Sequence, residues 1–134
     1  MSANKLRPTM AGFVLLHVAV VSLHGFSHHR LRVDLDSWQA VFVGIVIFAG
    51  PLVALAALWA FRPGIGPILL SISMAASSAF GICYHFLLST PDNIFLVQQV
   101  GCGHWFTITA VLLAIIETTC CVWCVWILRS GSIV

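Results

Sequence analysis

Charge is what this chain has least of. Six basic and four acidic residues are spread over 134 positions, so 7% of the chain is charged against 60% hydrophobic. A water-soluble domain carries roughly a quarter charged residues, because its surface must face water. Ten charges cannot coat a domain of this size, and lipid is the expected outer solvent. A net charge of +2 leaves no basic surface for nucleic acid, so the few basic residues report topology instead. Alternating strand patterns are missing, which argues against a barrel. Internal repeats and low-complexity tracts are missing too, so a single domain over 1–134 is expected.

Long apolar runs take the place of charge. Four of them, 9–28, 38–61, 66–88 and 103–128, each approach the ~20 residues that cross a hydrocarbon core as helix. A helix satisfies all its backbone groups internally, as lipid demands. The sequence therefore predicts an all-α integral membrane protein, a four-helix transmembrane bundle with short loops. Lys5 and Arg7 precede the first run as in a secretory signal, but no small-x-small cleavage site follows, and the run is read as a retained span.

Local signals refine this layout. Asp36 or Ser37 is placed to cap the second span, with Trp38 at the interface. Gly50-Pro51 is expected to kink it. The stretch Arg62-Pro63-Gly64 reads as a tight turn, and Pro67 suits a first helical turn. The segment 92–100 is too short to cross and is expected to lie along the outer interface. Ser73, Ser77 and Gly81 form a stripe of small residues for close helix packing. Lys5, Arg7, Arg62 and Arg129 fall on one side, against Arg30 and Arg32 with three aspartates on the other. That asymmetry predicts cytoplasmic termini in a cell membrane.

Histidine is abundant for so apolar a chain. His17, His24 and His28 fall within about 40° of one another at 100° per residue, whereas His29 is turned away. His24 and His28 have the i, i+4 spacing that lets two imidazoles grip one ion. His85 near the end of the third span and His104 at the start of the fourth reach the same outer level, beside Asp92. These five residues, His24, His28, His85, His104 and Asp92, are the candidate ligands of a transition metal (copper, zinc or iron) or, with two imidazoles, of haem b. An ionisable residue inside a span is a functional hypothesis by default, because burying it in lipid is costly.

A deeper layer pairs His17 with Glu117, the only acid within a span, as a buried hydrogen bond. Cys83 and Cys102 share an outer depth and could form a disulfide if that face is oxidising, whereas Cys120, Cys121 and Cys124 are expected to serve packing. The pattern HxxxHH at His24, His28 and His29 resembles one box of membrane metal hydroxylases and desaturases. The further boxes of those enzymes are absent, so an enzyme is the less favoured outcome. Two other functions remain open. One is an accessory subunit without its own cofactor, packed against other membrane subunits through its many aromatic residues. The other is a small transporter or ion path, which four spans would form as a homo-oligomer.

Overall fold

The computed structural model describes residues 3–60, 64–97 and 101–131. Phe61 at the end of the expected second span, Arg62 and Pro63 of the expected turn, and positions 98–100 of the expected interfacial segment lie outside them. The described chain is helical, with no strand. Four helices carry it: α1 (Ala3–Leu31), α2 (Ser37–Ala60), α3 (Ile65–Leu87) and α4 (Cys102–Arg129). All four are long and apolar enough to cross a membrane.

The helices pack as a ring. The most extensive contacts are α3 with α4 and α2 with α3, followed by α1 with α4, and α1 touches α2 only lightly. Thus α1 and α3 face each other diagonally, and the C-terminal ends of both lie beside the N-terminal end of α4. At the other end Leu6, Met10, Leu58, Leu70 and Ile127 close the core. Large apolar side chains such as Leu15, Ile45, Ile72 and Ile115 stand exposed on the outside of every helix.

Helix ends follow local chemistry. Asp36 is the N-cap of α2, and its backbone N–H donates to Gln39 Oε1 at 2.7 Å. At the end of α1, Val33 N–H donates to the His28 carbonyl at 3.1 Å and Arg32 N–H to that of His29 at 3.3 Å. This is a Schellman ending, whose left-handed position usually belongs to glycine. Here Arg32 fills it at φ 55°, a strained choice for a residue with a Cβ.

The expected kink at Gly50-Pro51 takes the form of a π-helical stretch, Val43–Ala49. Gly50 N–H reaches back to the Ile45 carbonyl, so the Val46 carbonyl loses its helical partner, and Ser73 Oγ donates to it at 2.6 Å. The approach of α3 is close enough that a Cβ on Gly50 would lie 2.5 Å from Ser73 Oγ. A second π turn, Cys83–Leu87, ends α3. Single π turns inside α-helices recur at functional sites, and this one carries His85.

The segment after α3 differs from the expected flat interfacial run. Asp92, Asn93 and Ile94 are buried, and only Phe95 and Leu96 beyond them are exposed. The cause is local hydrogen bonding. Asn93 Nδ2 donates to the Leu88 carbonyl, Asn93 Oδ1 accepts from Phe95 N–H, and Ile94 N–H donates to the His85 carbonyl at 3.0 Å. An Asx turn of this kind folds the chain back on itself, so the segment caps the histidine end of the bundle.

Gly50→Ala should lower the melting temperature in detergent, although the same change inside an ordinary helix stabilises by about 1 kcal/mol. Ser73→Ala should also destabilise, by about 1 kcal/mol for a lost interhelical hydrogen bond. In the Ser73→Ala background the Gly50→Ala penalty should shrink, because the nearest atom it meets is gone. Thermal unfolding of the four proteins measures this coupling.

Candidate metal centre

Three imidazoles meet at the capped end of the bundle. His24 and His28 come from successive turns of α1, and His85 reaches across the diagonal from the π turn of α3. His24 Nε2 lies 3.1 Å from His85 Nε2 and 3.2 Å from His28 Nε2. His24 and His85 are buried and His28 is half-buried. The three can offer one ligand atom each to a common ion, all within 4.8 Å of one another.

The far side of each ring decides what these nitrogens are. His85 Nδ1 faces the Asp92 backbone carbonyl at 2.9 Å, and His28 Nδ1 faces the Val33 carbonyl at 3.1 Å. Carbonyl oxygens only accept, so both Nδ1 atoms carry the proton. His24 Nδ1 lies 2.9 Å from Thr109 Oγ1. The single Thr109 hydroxyl proton is engaged by the Trp105 carbonyl at 2.6 Å, with the Phe106 carbonyl at 3.1 Å. Thr109 Oγ1 therefore accepts from His24 Nδ1–H. All three rings are held as the Nδ1–H tautomer, which leaves the Nε2 lone pair of His24 facing those of both His28 and His85.

That arrangement repels itself unless a cation or proton lies between the lone pairs. A tetrahedral ion with bonds of about 2.0–2.1 Å separates its nitrogens by about 3.3 Å, close to the two spacings from His24, while the three ligand atoms together lie within 4.8 Å. Hydrogen bonds from the remote imidazole nitrogen to carbonyl or hydroxyl oxygen fix ligand tautomers in metal sites. Phe106, fully buried, packs its ring centroid 4.8 Å from that of His24 and 4.9 Å from that of His28, which restrains both rotamers.

Asp92 sits beside the trio, with its Oδ1 3.9 Å from His28 Nδ1. Burial pushes its carboxyl above the usual carboxylate range, against the pull of His28 and His85. Its backbone carbonyl is the atom that orients a ring.

His104 does not join the group. It lies on the exposed side of α4, because five residues at 100° each turn it about 140° from Thr109 on the buried side. Cys83 and Cys102 are free thiols, so no disulfide joins them. Their shared depth does not give a shared direction: Cys83 is exposed, whereas Cys102 is half-buried. Thr109, Phe106 and the Val33 carbonyl carry no signature in the sequence, since a threonine or phenylalanine in an apolar helix reads as packing.

Below the trio lies a second polar layer. His17 Nε2 is 3.0 Å from Glu117 Oε1, and Ser77 Oγ donates to the same oxygen. Both His17 and Glu117 are buried, and His17 Nδ1 has no partner among the described residues. The two layers share one cavity of about 160 Å³, lined by His24, His28, His85 and Asp92 at one end and by Ser77 and Glu117 at the other.

No protein-family model, characterised protein or solved structure matches this chain. Two substitutions probe the centre on its own geometry. Thr109→Val removes the acceptor for His24 Nδ1–H and should weaken metal affinity by about 10- to 100-fold, read by competition with a chromogenic chelator. Asp92→Asn should raise the melting temperature of metal-free protein at neutral pH. A carboxyl whose folded value is raised costs stability while it is charged, and the cost disappears as pH falls from that value to the ordinary one. The advantage of Asn over Asp should accordingly fade on acidification, as a pH series of melts will record.

Proposed function

We propose that this chain is a multi-pass membrane protein that holds one transition-metal ion on the Nε2 atoms of His24, His28 and His85. The observation that carries the proposal is the convergence of three lone pairs whose tautomers are set by separate acceptors on α4 and in two loops. Three neutral imidazoles suit zinc, copper or iron. A three-histidine site that leaves a fourth position open is the arrangement of catalytic rather than structural zinc, and here the adjoining cavity offers that position room.

A bare ion fits better than haem. Haem imidazoles bind on opposite faces of a macrocycle, whereas His24 and His85 meet edge to face with ring centroids 4.8 Å apart. The cavity of about 160 Å³ is also below the roughly 300–1,000 Å³ of pockets that take larger ligands.

Membrane embedding is supported by the four apolar helices and by the tryptophans at both ends. Trp38 and Trp105 stand exposed at the histidine end, Trp59 and Trp126 at the other, as in an interfacial aromatic belt. Arg7 lies 6.0 Å from the centre of the Trp59 ring. With Lys5, Arg7 and Arg129 together at that second end, we place it on the cytoplasmic side, which leaves the histidine trio facing outward.

Protein purified in detergent without added chelator should carry about one equivalent of zinc, copper or iron per chain by elemental analysis. His85→Ala should lose it, while His104→Ala should retain it with an unchanged helical signal by circular dichroism. Retention of the full equivalent by a folded His85→Ala protein would remove the trio as the site.

A further inference from the structure

We infer that the cavity beside the trio binds a small, largely apolar molecule of single-ring size, carrying one Lewis-basic atom for the ion and one hydrogen-bond donor for Glu117. The inference rests on the metal site proposed above and names what occupies its open side.

Size sets the first limit. A cavity of about 150 Å³ with aliphatic and aromatic walls admits benzene, and this one has about 160 Å³ with walls that include Ile47, Phe80 and Leu113. A macrocycle does not fit. Chemistry sets the second limit, because the two ends are polar and the walls are not. At the upper end lies the ion's open position. At the lower end Glu117 Oε1 accepts from Ser77 and faces His17 Nε2, while no described residue supplies a partner to Oε2. Glu117 lines the cavity, so a donor group on the occupant would meet an acceptor there.

The way in is also marked. The α1–α2 contact is the lightest between neighbouring helices, and Gly25, on α1 between two of the ligands, is both exposed and part of the cavity wall. A Cβ added at Gly25 would meet nothing within 4 Å. Glycine inside a helix costs about 0.5–1 kcal/mol relative to alanine, and here no close helix approach requires it. What its missing side chain does is keep the flank of the cavity open between α1 and α2.

The test uses Co(II) in place of the native ion, since its visible bands report the coordination sphere. Imidazole supplies a Lewis-basic nitrogen and an N–H donor within one ring. 1-Methylimidazole keeps the nitrogen and lacks the donor. Imidazole should shift the Co(II) bands of the detergent-solubilised protein, and 1-methylimidazole should bind about tenfold more weakly, the worth of one hydrogen bond to a carboxylate. Gly25→Leu should leave the Co(II) bands unchanged in the absence of imidazole and weaken imidazole binding by about tenfold or more. Bands that ignore imidazole, or a Gly25→Leu protein that binds it as tightly as wild type, would overturn the inference while leaving the ion in place. Equal affinity for the two probes would strike Glu117 from the site. A wild type that gives no Co(II) bands at all would instead locate the failure in the trio itself.

Discussion

Every buried polar group in this bundle has to find its partner inside the protein, and that constraint shapes both ends of each imidazole. An unpaired polar atom in an apolar interior costs a few kcal/mol, so the remote nitrogens of His24, His28 and His85 are tied to Thr109, Val33 and Asp92. Those three bonds draw on α4, on the loop after α1 and on the segment after α3. Fixing the tautomers leaves the three near nitrogens as acceptors with only each other to face. The proposed ion resolves that conflict, and the same bonds hold the rings ready for it.

The irregular backbone of the molecule gathers around this centre. Arg32 occupies a left-handed position at the end of α1 and thereby turns the Val33 carbonyl onto His28. The π turn at the end of α3 carries His85, and the folded segment after it returns the Asp92 carbonyl to that ring. Strained conformations persist where the surroundings over-determine them, and such places cluster at functional sites. By contrast the opposite end of the bundle is ordinary packing of Leu, Met, Ile and Cys.

The second layer has a different character. His17 and Glu117 are paired, Ser77 adds a third contact, and yet His17 Nδ1, fully buried, has no partner among the described residues. A buried polar atom without a partner calls for a reason. The connection of this layer by a cavity to the histidine trio places a carboxylate and a proposed open coordination position around a single small volume.

The four apolar runs settled the helical class and, to within a residue at each end, the lengths of α2 to α4, because composition and span length are local properties of the chain, whereas α1 runs past its apolar stretch to Ala3 and Leu31. The same helical period aligned His17, His24 and His28, since residues on one helix keep fixed angles to each other. Sequence could not separate His85 from His104: both lie at the right depth, and which way each points depends on the rotation of its helix within the bundle. Nor could it reveal that Thr109 and two backbone carbonyls orient the rings, or that the stretch around Asp92 folds inward as a cap. The chain by itself determined four helices long and apolar enough to cross a membrane and the position of its polar residues along them. Only the packing of four helices, through rotation about each axis, decided which of those residues meet.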